Sequence, residues 1–333
     1  MEVLPLIWAA FLGLAVTLYV LLDGFSLGVG ILFPFADSRH ERDLMMASVA
    51  PVWDGNQTWL VGGGAALFGA FPQAFNLLLG ALYLPLMLML LALVFRGVAF
   101  EFRGQARRQR RWSLAFCGGS ILAAFAQGAV LGTYVRGFVF DGEQILSSPL
   151  AWLQPFALLT GTGVVLAYAL LGACWLILKT EGPLQARART WGRRLLPAVA
   201  VVIVAVCLAS PLLVPAIRER WLSWPNLLLL SPLPLWMLVV STALFWSLRR
   251  AAGDLAPYLL CIALYLLTIA GFVVSLWPYL VPRQFSFWEL AAPPESLLFM
   301  LVGVLLIVPV VLLYTAHAFY VFRGKVRATD SYH

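Results

Sequence analysis

Two carboxylates in this sequence lie where a carboxylate is expensive. Asp23 and Asp54 each fall inside a long apolar run, whereas almost all of the other acids lie in polar gaps or at the ends of such runs. An ionised acid at the centre of a membrane helix costs about 2.5–3.5 kcal/mol even on lenient scales, so its presence calls for a role. Around Asp54 the polar side chains are dense: Trp53, Asn56, Gln57, Thr58 and Trp59. Facing lipid they would be costly, and together they form a polar path or an interhelical hydrogen-bond network. The two indoles would limit water, and Asn56, Gln57 and Thr58 would partner a short water chain. Arg96, followed by Glu101 and Arg103, is the natural counter-charge. Desolvation disfavours a charged acid and a nearby guanidinium favours it, so an acid under both influences can take up and release a proton. Each residue also has a plainer reading. Asp54 suits a structural ion pair, Asp23 a cap beside Gly24, and Arg96 a headgroup anchor with a long, snorkelling side chain.

The elements that position these groups are set by composition. Hydrophobic residues make up 62% of the 333, charged residues 11%, and mean hydropathy is +0.91. Soluble domains run at roughly 45–50% apolar and about 25% charged. The excess points to an all-α integral membrane protein with about nine transmembrane helices in a single transmembrane domain over 1–333. The apolar segments lie near 6–35, 45–70, 77–100, 112–135, 152–178, 193–214, 226–248, 255–280 and 296–322. The second and seventh are the most irregular, because PVWDGNQTW (51–59) and SPLP (231–234) interrupt them. Gly24-x-x-x-Gly28 and Gly128-x-x-x-Gly132 allow close helix crossings.

Orientation follows from the basic residues. Of the 22 Lys and Arg, 18 fall on one side of the alternating segments, and only Arg136, Arg218, Arg220 and Arg283 fall on the other. The positive-inside rule then places the N-terminus in the periplasm and the C-terminus in the cytoplasm. The first segment lacks a basic leader and a small-residue cleavage site, and reads as a retained helix. The net charge of +7 is a topology signal, not a nucleic-acid footprint. On this orientation Asp23 and Asp54 lie at similar depth, about 18 and 14 Å from the inner ends of their helices, and are reached from the cytoplasm.

Redox and metal chemistry have few candidate ligands. The histidines are His40, His317 and His333, too few for several haems. His317, between Tyr314 and Tyr320, is the one membrane histidine and reads as a hydrogen-bonded side chain. Cys117, Cys174, Cys207 and Cys261 fall in four different segments without metal-ligand spacing, and read as small buried packing residues. No Walker, GxSxG, HExxH or Rossmann pattern is present.

Five blocks carry a family signature: LLDGFSLGVGILFPF (21–35), ERDLMM (41–46), APVWDGNQTWLVGGGAALFGAFP (50–72), RGVAFEFR (96–103) and LLYTAHAFYVFRGKV (312–326). In order and spacing the chain resembles subunit II of cytochrome bd-type ubiquinol oxidases over its whole length. Its short form is similar to the cyanide-insensitive branch. The resemblance implies a chain in the bacterial inner membrane that binds no cofactor itself and pairs with subunit I. That partner would carry two haem b and one haem d (or a third haem b), and the site for the substrate quinol. The complex would reduce oxygen to water and build a proton gradient without pumping. It implies contact with lipid and quinone, leaves room for a small single-helix subunit, and involves no nucleic acid. Subunit II would support assembly and offer a cytoplasmic proton route. Asp54 matches the acid of the family's WDGN block, Asp23 the first acid of DGFDLG, and Arg96 and Glu101 the RGVAFEFR block. With Trp53, Asn56 and Gln57 these are the proton-path candidates. The second acid of DGFDLG is Ser26 here, which removes one charge from any shared network. Two other readings compete: a secondary transporter with Asp23, Asp54 and Arg96 at a midplane site, and a purely structural scaffold.

Overall fold

The computed structural model describes residues 3–141, 144–146, 148–250 and 253–326. Thirteen α-helices account for most of it. In chain order they are α1 (Val3–Leu32), α2 (Arg39–Val49), α3 (Trp53–Ala70), α4 (Pro72–Ala81), α5 (Tyr83–Arg103), α6 (Gln109–Arg136), α7 (Pro155–Lys179), α8 (Gly182–Leu213), α9 (Pro215–Leu222), α10 (Asn226–Leu230), α11 (Pro232–Arg250), α12 (Leu255–Leu276) and α13 (Pro294–Val321). The strands form two small antiparallel hairpins, β1 (Phe140–Asp141) with β2 (Gln144–Ile145) and β3 (Tyr279–Val281) with β4 (Phe285–Ser286). Arg327 and His333 lie outside the described residues.

Among the described residues, eight helical stretches are long and apolar enough to cross a membrane: Val3–Phe35, α5, α6, α7, α8, Asn226–Arg250, α12 and α13. They match eight of the nine expected segments. The ninth, expected near 45–70, is two helices. Pro51 sits between α2 and α3, where its missing N–H and ring oppose a continuous helix. Ser38 caps α2: its Oγ accepts from the Glu41 N–H at 3.1 Å, and the Glu41 carboxylate reaches back past the cap to accept from the Asp37 N–H at 2.9 Å.

Other boundaries shift for visible reasons. The segment expected at 77–100 is α4 followed by α5, with Pro72 in the first turn of α4. The segment expected from 193 begins at Gly182, because the polar first turns of α8 are also helical. The one expected to reach 280 ends at Leu276. Cys117, Cys174 and Cys261 are buried as expected, but Cys207 is exposed on α8.

Glycines set how closely α7 meets its neighbours. A Cβ on Gly28 would collide with the Tyr168 carbonyl, and one on Gly172 with the Gly28 backbone. Gly128 and Gly132 meet Thr160 and Ala157 in the same way. Both small-residue motifs therefore pack on α7, Gly24–Gly28 from α1 and Gly128–Gly132 from α6. The buried core runs from Phe25 to Leu32 on α1 and from Tyr168 to Ile177 on α7.

Candidate functional site

Asp23 lies nine residues before the end of α1, about 14 Å of helix. Its carboxylate accepts from Arg96 of α5, Nη1 to Oδ1 at 3.1 Å, and both side chains are 0% exposed. Ser26, one turn further along α1, joins them. Its hydroxyl lies 2.5 Å from Asp23 Oδ1 and accepts from Arg96 Nη2 at 2.6 Å. One acid, one guanidinium and one hydroxyl make a cluster of zero net charge. Small side chains admit the guanidinium: a Cβ on Gly119 of α6 would press on the Arg96 backbone and Cβ. Arg96 Nε is buried and has no hydrogen-bond partner among the described residues.

The expected pairing of Arg96 with Asp54 is corrected by this geometry. Asp54 is exposed, and it makes no hydrogen bond or ion pair among the described residues. The reason is helical phase. Asn56 Nδ2 donates to the Leu22 carbonyl at 2.8 Å, and Gly63 faces Ala15, so that side of α3 turns toward α1. Asp54 falls on the other side, in one exposed stripe with Thr58, Val61 and Phe68. The depth expectation fits better. The antiparallel Asn56–Leu22 and Gly63–Ala15 contacts place Asp54 level with Asp23 and Gly24. Asp54 also occupies the first turn of α3, where the positive end of the helix favours an anion. The break at Pro51 thus creates a helix N-terminus at the depth of the buried ion pair.

The remaining candidates divide between the two acids. Trp53 stacks on Phe100 of α5 with ring centroids 5.1 Å apart, and its ring also lies against Gly97. Glu101 is exposed, one helical turn beyond Gly97 toward the C-terminal end of α5. The Asp54 and Glu101 carboxylates therefore flank the Trp53 contact on the outside of the chain. Asn56 is buried, while Gln57 Nε2 and Trp59 Nε1 are buried without partners among the described residues. Arg103 pairs with Asp43 at 2.7 Å, and Arg187 with Asp37 and Glu41, so α2 is tied to α5 and α8 at the basic end. Outside the membrane-spanning helices, the Arg187 guanidinium beside Asp37 holds that carboxyl below its ordinary value.

The sequence reading missed one part of the polar core. Tyr168 of α7 donates to Gln127 Oε1 of α6 at 2.7 Å, and Gln127 Nε2 donates to the Tyr19 hydroxyl of α1, also at 2.7 Å. The available signal was a glutamine in the apolar run FAQGAV (125–130).

His40 and His317 are both exposed. No group of three or more His, Cys, Asp or Glu among the described residues is arranged to hold a metal ion.

The fold and the buried cluster define a polytopic helical membrane protein with an ion pair in its core. The family described as Cytochrome bd terminal oxidase subunit II matches residues 4–322, and the chain belongs to it. It is therefore a subunit of a haem-containing terminal oxidase complex, partnered by a subunit I, in a multi-pass arrangement in the bacterial inner membrane. The chain is 28% identical to "Cytochrome bd-I ubiquinol oxidase subunit 2" of Escherichia coli (strain K12), over 99% of this chain and 97% of that protein. It is 28% identical to "Cytochrome bd ubiquinol oxidase subunit 2" of Bacillus subtilis (strain 168), over 92% of each. The solved bd oxidase from Geobacillus thermodenitrificans shares the fold, with a TM-score of 0.73 and 18% identity, covering 96% of this chain and 97% of that one. The secondary-transporter reading is not favoured by these matches.

Proposed function

We propose that this chain supports assembly of a quinol-oxidising bd-type complex and supplies its cytoplasmic proton route. The observation that carries the reading is the exposed Asp54, level with a fully buried ion pair and without a partner of its own among the described residues. An acid at this depth is not left facing lipid. The stripe of Asp54, Thr58, Val61 and Phe68, with Glu101 below it, is the face that subunit I covers. Protons from the cytoplasm pass Glu101 and reach Asp54 along that covered face, beside Trp53. Asp23, Arg96 and Ser26 form the charge-neutral core behind it, with Asn56 and Gln57 between the two acids. This orientation rests on the 18-to-4 division of basic residues. Subunit I holds two haem b with one haem d or a third haem b, together with the quinol site; when bound, those haems supply the oxygen chemistry. The chain acts as one transmembrane domain over 1–333, bordered by lipid and quinone, with a small single-helix subunit as an accessory.

Purification of the tagged chain from native membranes tests this reading. The expected product is a coloured complex containing a haem-bearing partner, whereas this chain expressed alone shows no Soret band. A colourless chain, stable without partners, contradicts it.

A further inference from the structure

The Tyr168–Gln127–Tyr19 chain lies beside the buried ion pair and has no place in the route described above. Tyr168 packs its ring against Gly24, next to Asp23, and Tyr19 lies one helical turn outward of Asp23 on α1. Both phenols are buried, at 2% and 5% exposure. Each end of the chain borders a polar atom without a partner among the described residues. Trp59 Nε1 lies in the packing cluster of Tyr19, and the hydroxyl of Tyr265, whose ring stacks on Tyr168, is buried. Buried polar atoms of this kind recruit ordered water, and water and phenols both relay protons. Among the described residues, the link between the two phenols is the Gln127 carboxamide.

We propose that Gln127 is a proton stop. It closes the Asp23 core toward the periplasmic side, so that a proton that strays from the Asp54 face into that core does not leak outward. The inference rests on the proposed proton route. A hydroxyl passes a proton by accepting on one lone pair and releasing its own hydrogen. An amide accepts at oxygen and donates from nitrogen, and it relays only by becoming an imidic acid. Here the oxygen faces Tyr168 and the nitrogen faces Tyr19. Turning the amide over exchanges the two bonds and leaves it equally unable to relay. Two hydroxyls further along α6 and α7 do not bypass the amide. Thr133 donates to its own helix at Ala129, and Thr160 to Phe156 and Ala157. A purely structural amide would hold the same three helices together, but its chemistry would not matter to proton leakage.

The test uses the whole oxidase complex reconstituted in liposomes. Passive proton permeability is measured without quinol, and each preparation is checked by its haem spectrum. Gln127→Glu and Gln127→His place a protonatable group between the phenols; using two side chains of different size keeps the test available where one variant does not assemble. Gln127→Met keeps the bulk but neither relays nor hydrogen-bonds. The expected result is a several-fold rise in permeability for Glu and His and parental permeability for Met. Parental permeability in an intact Glu or His complex overturns the proposal. So does a Met variant as leaky as the Glu variant, because the cause would then be packing. Adding Asp23→Asn to Gln127→Glu separates the two readings. Loss of the extra leak supports both, whereas a persistent leak keeps Gln127 as a stop for protons that arrive by a way other than the Asp23 core.

Discussion

Arg96 and Asp23 face each other at 3.1 Å with both side chains fully buried, on helices separated by 73 positions in the chain. Such a pair contributes less stability than its Coulomb energy suggests, because both groups lose hydration. Losing one member is a different matter, since it leaves an uncompensated buried charge that costs about 3–5 kcal/mol. The Ser26 hydroxyl bonds both groups and carries no charge of its own, so the cluster holds one charge pair.

That asymmetry predicts the order of assembly defects. Arg96→Leu leaves a lone carboxylate and should reduce the yield of haem-bearing complex most. Asp23→Asn/Arg96→Leu removes both charges and should recover part of that yield. The check is complex purified per gram of membrane. A double variant no better than Arg96→Leu alone would show that the ion pair is not what limits assembly.

The division of basic residues predicts topology. A periplasm-active reporter should be active when fused at Asp141, between α6 and α7, and silent after Arg323, beyond α13. Activity at both positions, or at neither, contradicts the proposed orientation.

Much of this was legible in the sequence, and the rest was lost for identifiable reasons. The eight apolar helices were readable because membrane insertion acts on composition over about 20 residues. The depth of Asp54 was readable from the same counting. The partner of Arg96 was not, because pairing depends on helical phase. The Asn56–Leu22 bond that turns Asp54 away from α1 is a tertiary contact. The α2–α3 break was signalled by Pro51, yet a proline alone does not distinguish a kink from an interruption. The phenol–amide chain was invisible because its members stand on three helices, each surrounded by apolar neighbours.

The C-terminal segment has its own pH dependence. Lys325 Nζ lies 2.5 Å from Asp254 Oδ2, Arg189 Nη2 lies 2.8 Å from Asp254 Oδ1, and the Val326 N–H donates to the Lys179 carbonyl at 2.8 Å. Burial raises the Asp254 pKa, but the Lys325 hydrogen bond and charge, with help from Gln185 and Arg189, outweigh it, and the net shift is downward. A depressed carboxylate stabilises the fold above its unfolded pKa of about 3.9, and that contribution is lost as pH falls through the lower, folded value. The segment should therefore stay docked at neutral pH and loosen only in strong acid, whereas Asp254→Asn should loosen it at pH 7. Hydrogen exchange at Lys325 and Val326 reads this directly, and unchanged protection in Asp254→Asn would contradict it.

Asp54 is the residue on which the proposed proton route depends. Its side chain makes no hydrogen bond or ion pair among the described residues, so Asp54→Asn, nearly isosteric and unable to ionise, should assemble with subunit I and keep the haem spectrum. The measurement is quinol-driven oxygen uptake per haem in the purified complex, together with the proton gradient it builds in liposomes. The expected result is a fall of several-fold in uptake with assembly intact. Full turnover and an undiminished gradient in an assembled Asp54→Asn complex would contradict the account.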